Sequence, residues 1–289
     1  MAAVVQRGDG LEYLLAAVEA DKLYLQRAGH LDWAELQTRD HPLLGRRLIC
    51  GLGHGSYAVR RLQVSREIAR DREQLDWELS RGLTETYDKY HQSVMQLTGQ
   101  SVEELLVLSA KRRAVERLGA RLAKYGLALD QLAFEPEALY YSCRALGGET
   151  RTLLLLIEPE RAQLLLIVQR QLVAFNTLSL RRTEAHALMS LVEDIGTVLL
   201  ATPYGRTVDR RLNLILAGDP KASGLADAFT RALPYEINLI ELDPQTLNLE
   251  CSTELATEFA RWLLPISLAH LYHENRLCAS SPANDAASH

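Results

Sequence analysis

The stretch from Arg151 to Leu180 constrains the fold more than any other part of the chain. Thr152–Ile157 and Leu164–Val168 are nearly continuous aliphatic runs joined by the charged turn Glu158-Pro159-Glu160-Arg161, and a third run follows at Gln171–Leu180. Aliphatic runs of strand length bounded by turn residues predict strands buried on both faces. Such strands need layers of structure above and below them, which points to an α/β protein.

The rest of the chain supports two units of this kind. At 289 residues it has room for two domains, or for one domain carrying an insertion. Ala2–Val5, Tyr13–Val18 and Leu23–Gln26 read as strands, with turns at Arg7-Gly8-Asp9-Gly10 and Asp21-Lys22. Leu48–Leu52 and Tyr57–Val64 read as a strand pair joined across Gly53-His54-Gly55-Ser56, and Ile68–Leu83 as a helix. Strands follow near Tyr90–Leu97 and Glu104–Ser109. Ser109 is the expected N-cap of a helix over Ala110–Tyr125, which Gly126 ends. Leu127–Phe134 reads as a strand, and Pro136 opens the next helix. Beyond residue 180, helices are expected over Glu184–Leu200, Leu225–Leu233 and Leu255–Tyr272, the last kinked near Pro265, with strands at Leu212–Ala217 and Ile237–Ile240. The expected division is a first lobe over 1–150, with a small α+β subdomain inserted at about 47–134, and a second lobe over 151–278. A disordered tail over 279–289 completes it. No internal sequence repeat is evident.

Charge and motifs exclude several functions. A net charge of −5 argues against a general nucleic-acid binder. No apolar run reaches the roughly 20 residues of a membrane-spanning helix, and Met1–Gly10 has no signal-peptide pattern, so a cytoplasmic chain is expected. Cys50, Cys143, Cys251 and Cys278 lie far apart, as reduced thiols would. Gly51–Gly55 is an incomplete dinucleotide fingerprint followed by a strand, so it reads as a hairpin turn. His270, His273 and Cys278 lack a fourth metal ligand. There is no GxSxG, HExxH or P-loop pattern, and no catalytic or metal-binding residue is assigned.

Four segments resemble the PilM family of type IV pilus assembly, to which MshI-type pilus proteins and the cytoplasmic part of the type II secretion protein GspL are similar. Val208-Asp209-Arg210-Arg211-Leu212-Asn213-Leu214-Ile215-Leu216-Ala217-Gly218 looks like the family's "VDRILLAGG" strand, and Gly224-Leu225-Ala226 like its "pGLa" helix start. Leu52–Val59 resembles its "LPGSAV" hairpin, and Phe134-Glu135-Pro136-Glu137-Ala138-Leu139 its "EaeAl" return into the first lobe. The resemblance implies a two-lobed actin-like (ribonuclease H-like) ATPase fold with a small α+β subdomain inserted in the first lobe.

In that fold three loops would hold ATP and magnesium, and all three depart here. The first, "DIGSSSVK" in the family, falls on Val5–Glu12, where Gln6 stands at the magnesium-steering aspartate and Gly8, Asp9 and Gly10 complete the turn. The second, "DIG…T", is Glu158-Pro159-Glu160-Arg161. Glu160 would face phosphate charge, and Pro159 has no N–H to offer. The third, "AGGG", is Ala217-Gly218-Asp219-Pro220. No cofactor is therefore expected. The implied function is that of a non-catalytic scaffold, peripheral to the inner membrane, holding the cytoplasmic tail of a PilN-like inner-membrane partner. The tail would lie as an extended segment in a groove of the second lobe and the inserted subdomain. Two alternatives stay open: an active actin-like ATPase or kinase using Asp9, Glu158, Asp219 and Lys221, and a filament-forming relative. So do the oligomeric state and the choice between a pilus and a secretion system.

Overall fold

The computed structural model describes residues 1–19, 22–38, 40–53, 55–97, 103–147, 150–180, 187–202, 210–218 and 224–280. The chain divides into two compact units. One comprises Met1–Gly53, Leu118–Ser142 and Pro244–His289; the other comprises His54–Arg117 and Cys143–Asp243.

The first unit is built on a six-stranded sheet of order β14-β3-β2-β1-β4-β8. Strands β1 (Ala2–Gln6), β2 (Gly10–Glu19) and β3 (Lys22–Asp32) form an antiparallel meander. Strand β4 (Leu48–Leu52) then pairs parallel to β1, β8 (Leu129–Phe134) parallel to β4, and the two-residue β14 (Glu250–Cys251) parallel to β3. Alternation along β1 serves both faces. Ala2 and Val4 pack with Leu122 and Leu127 on one side, while on the other Gly51, with Val5 beside it, faces Leu268. A Cβ at Gly51 would stand 2.9 Å from Leu268 Cδ1, so a larger residue here would push that leucine aside where the C-terminal helix crosses β4 (Leu48–Leu52). That helix, α8 (Leu263–Ser280), packs on β1, β2 and β4.

The second unit repeats the wiring. Its five-stranded sheet has the order β11-β10-β9-β12-β13. Strands β9 (Arg151–Ile157), β10 (Arg161–Val168) and β11 (Gln171–Ser179) form the meander, and β12 (Arg211–Gly218) and β13 (Glu236–Ile240) add in parallel. Every residue of β9 is buried, as its aliphatic run predicts. Helices α5 (Ala187–Ala201) and α6 (Leu225–Ala232) cover one face through Val192, Ile195, Leu199 and Phe229. The same strand order thus appears twice although the sequence shows no repeat. A three-stranded sheet β5-β7-β6 also belongs to this unit: β5 (Ala58–Val64), β6 (Tyr90–Leu97) and β7 (Glu103–Lys111). Val64, Leu79, Leu105 and Val107 form its core, with Ile68 and Leu75 packed against them.

Several sequence expectations need correction. Leu48–Leu52 and the strand after Gly55 are not a hairpin: β4 pairs with β1 and β8, and β5 with β7. Because β4 and β8 belong to the six-stranded sheet, the inserted strands span 58–111, inside the expected 47–134. The helix expected over Ile68–Leu83 is two, α1 (Arg66–Arg70) and α2 (Arg72–Ser80), because Asp71 closes the first and its side chain caps the second. Ser109 caps nothing. It lies within β7, paired to Ala58 of β5 and Gln92 of β6; β7 then runs on beside β6 to Lys111, and α3 (Arg112–Ala123) begins after it. Gly126, at φ +73°, does follow the end of that helix. The last helix is not kinked at Pro265. A short helix α7 (Thr253–Thr257) and a 3-10 turn (Phe259–Trp262) precede α8, whose first turn holds Pro265, where its missing N–H leaves no bond unmade. Residues 244–278, expected in the second lobe, lie with the first sheet. Residues 279 and 280 continue α8, and the rest of the expected tail lies outside the described residues.

Candidate functional site

The described part of each expected nucleotide loop sits at a strand end, and ion pairs and hydrogen bonds fasten the first two. In the first unit, Gln6 closes β1 opposite Leu11, and the Arg7 N–H donates to the Gly10 carbonyl at 2.9 Å. Gly8 and Asp9 cap the turn, and Trp33 holds it. The Trp33 backbone N–H donates to the Asp9 carbonyl at 3.1 Å, and its indole N–H donates to the Gly8 carbonyl at 3.4 Å. The Asp9 carboxylate lies 3.7 Å from His30 Nε2. Gly10 has a packing reason to be glycine, since a Cβ there would stand 2.0 Å from the Leu31 carbonyl oxygen.

The side chain that dominates this turn is Arg7. Its guanidinium pairs with Glu12 at 2.7 Å and reaches Glu135 at 4.0 Å. Glu135 opens α4 (Glu135–Cys143) and is fully buried. A buried carboxylate needs a nearby cation, and Arg7 supplies one. The same carboxylate adds to the effect of burial on Cys50, whose thiol is pushed up to about 12.

In the second unit, the β9–β10 turn carries the expected second loop. The Glu158 N–H donates to the Arg161 carbonyl at 2.8 Å. Arg161 Nε donates to the Glu158 carboxylate, and Gln163 Nε2 approaches the same oxygen at 3.4 Å. The two ion-paired side chains are only 15% and 7% exposed, so this pair sits largely out of water. Glu160 faces solvent, and its carbonyl accepts from the Leu180 N–H at 2.9 Å.

Gly218 ends β12 beside this turn, in register with Ile157. Its φ is +92°, and a Cβ would fall 2.0 Å from the Ile157 carbonyl oxygen, so the position demands glycine on both counts. The structure therefore brings Glu158 and Gly218 together within one unit. Gln6, Gly8, Asp9 and Gly10 lie in the other. Asp219 and Lys221 lie outside the described residues.

Sequence reading placed these turns at strand ends and missed the side chains that fill them. Arg7, Glu12, Glu135, Arg161 and Gln163 carry the local electrostatics. The available signal was opposite charge at short spacing, Arg7 with Glu12 and Glu158 with Arg161, joined by a turn that folds each pair back on itself. Glu135 could not be found this way, because its partner is remote in sequence. Among the described residues no cluster of His, Cys, Asp or Glu has the arrangement of a metal site, and no helix is long and apolar enough to cross a membrane.

No protein-family model matches the chain, and no curated protein matches it. Solved structures do. The PilM–PilN type IV pilus biogenesis complex is similar over 94% of this chain and 98% of that one, at 17% identity and a TM-score of 0.69. A Bacteroides thetaiotaomicron protein of actin-like ATPase fold and unknown function is similar over 86% and 95%, at 12% identity and a TM-score of 0.52. The cytoplasmic domain of EpsL, an inner-membrane component of the Vibrio cholerae type II secretion system, aligns over 95% and 94% at 11% identity, but its TM-score of 0.49 adds no weight. At these identities the likeness speaks for the fold, and the doubled strand order agrees with it. The chain is an α/β protein of the actin-like ATPase fold, structurally similar to PilM.

Proposed function

We propose that this chain is a non-catalytic scaffold of a type IV pilus or type II secretion-like assembly platform, without a bound nucleotide, that holds the cytoplasmic tail of an inner-membrane partner. The observation that carries the reading is the ion pair between Arg161 and Glu158. Magnesium is a hard cation that needs carboxylate oxygens, and Glu158 is the acid at the second loop that the resemblance would offer it. Arg161 already occupies that carboxylate from within the same turn. To bind there, the ion would have to displace a largely buried guanidinium and leave it uncompensated. At the first loop the corresponding residue is Gln6, a neutral amide, and the neighbouring cation Arg7 is paired with Glu12. A fixed positive charge on each of the two loops disfavours a divalent metal at both.

The partner half of the proposal is supported by the likeness to a PilM–PilN complex. An extended tail would bind by adding backbone hydrogen bonds along a strand and seating apolar side chains in pockets. The test is fluorescence anisotropy with a labelled peptide of the cytoplasmic tail of a PilN-type protein. Saturable binding that Mg-ATP leaves unchanged is expected. Failure of the tail to bind, or turnover of ATP by the purified chain, would contradict the reading.

A further inference from the structure

The first unit carries a basic, partly apolar surface that the loop chemistry does not use. The turn Leu44-Gly45-Arg46-Arg47 is exposed along its whole length, and Leu44 is 49% exposed. Gly45 takes φ +69°, which turns the chain sharply and presents the leucine and the arginines together. Three further observations widen the patch. A Cβ at Gly126 would lie 3.5 Å from Leu44 Cδ1, so the turn abuts the end of α3, where Lys124 is exposed. Arg276, exposed on α8, stands 5.8 Å from the Tyr272 ring, and the Tyr272 hydroxyl feels both Arg47 and Arg276. Burial, and then Arg46, Arg276 and Arg47, lower the Met1 amine, and the Ala2 N–H donates to the Arg47 carbonyl at 2.9 Å, which sets this turn beside the N-terminus.

Among the described residues, the acid in hydrogen-bonding contact with Tyr272 at this surface is Asp130, which accepts from its hydroxyl at 2.5 Å. Arg46, Arg47, Lys124 and Arg276 therefore outnumber it, on a chain whose net charge is −5. Cations gathered on one surface of an acidic protein, with a leucine exposed among them, fit a surface that is anionic and apolar beneath.

We propose that this patch docks directly on a bilayer rich in anionic lipid headgroups, with Leu44 entering the interface and Arg46, Arg47, Lys124 and Arg276 against the phosphates. The mode is electrostatic attachment with a shallow apolar contact. It is separate from the proposed tail-mediated attachment, whose groove the resemblance puts in the second lobe and inserted subdomain, whereas these residues all belong to the first unit.

The experiment is co-sedimentation of the purified full chain with two kinds of vesicle, pure phosphatidylcholine and phosphatidylcholine with about one third phosphatidylglycerol. Partitioning onto the anionic vesicles alone is expected, weakening as salt rises. Each cation near such a surface is worth about fivefold in partitioning, so Arg46→Glu with Lys124→Glu should lower it by about twentyfold or more. Leu44→Ser, which adds no charge, should weaken it at unchanged salt dependence. All three positions are exposed, and an unchanged melting midpoint will show that the variants fold. Equal binding to both vesicles, or indifference to the charge reversals, would overturn the proposal. So would tighter binding to duplex DNA at the same salt, lost in the same variants, since the patch would then read a phosphate polymer and not a membrane.

Discussion

Replacing Arg161 by leucine should cost far more than the loss of a surface ion pair. The Glu158 and Arg161 side chains are 7% and 15% exposed, so neither has enough water to carry a charge alone. An exposed pair is worth at most about 1 kcal/mol. Removing one member of a buried pair leaves the other uncompensated, at about 3–5 kcal/mol. For a chain of this size, with about 2–4 °C of melting shift per kcal/mol, that corresponds to roughly 6–20 °C. The double replacement Glu158→Leu with Arg161→Leu removes both charges and should melt near the parent, since an apolar pair of similar volume is often as stable. Four thermal melts, of the parent, the two single variants and the double, complete the cycle. A strong coupling is expected, with the double variant far more stable than the sum of the singles predicts. Additive effects, or a single-variant loss under about 1 kcal/mol, would refute the claim that Glu158 is committed to Arg161.

Further outcomes follow from the same geometry. Gly218→Ala should destabilise the second unit by several kcal/mol, seen as an earlier melting transition, because the new Cβ would strike the Ile157 carbonyl oxygen at a φ of +92°. Cys50 and Cys143 should resist iodoacetamide at neutral pH while the chain is folded, since burial lifts both thiols to about 12; Cys251 is partly exposed and should label ahead of these two, as read by peptide mass spectrometry. Burial, and then the Asp130 hydrogen bond, raise the Tyr272 hydroxyl above its ordinary value of 10. Its contribution to stability should be intact below pH 10 and fade as pH rises through the raised value, and Tyr272→Phe should flatten that alkaline loss in a pH series of melts.

The parts of the fold legible in sequence were those set by short-range pattern. Thr152–Ile157 announces a doubly buried strand because every position is aliphatic or small, and β9 is buried throughout. Leu48–Leu52 has the same signature, yet its partner was misplaced. Its neighbours β1 and β8 are remote in sequence, whereas the hairpin suggested by Gly53 and Gly55 is local. Ser109 illustrates a second limit. A serine before a helical pattern is a good cap, but pairing to strands on both sides holds the residue in β7 and delays the helix. Asp71 shows the reverse: one side chain able to cap the next turn breaks a pattern that reads as continuous. At the loops, the identities of Gln6, Glu158 and Gly218 were visible, but their engagement was not. That Arg161 folds back on Glu158, or that Arg7 reaches the remote Glu135, depends on where the turns and α4 bring these groups. The duplication of strand order was also hidden, because the two sheets keep the wiring and not the residues.

The central claim is that the loops hold internal ion pairs in place of magnesium and nucleotide. Its most direct test is the melting midpoint of the purified chain with and without millimolar Mg-ATP, alongside the Arg161→Leu with Glu158→Leu variant. A ligand at a hundred times its dissociation constant would add about 2.7 kcal/mol, well within detection. The account predicts no shift for either protein. A clear rise for the parent chain would contradict it, and would mean that Arg161 gives up Glu158 to the metal.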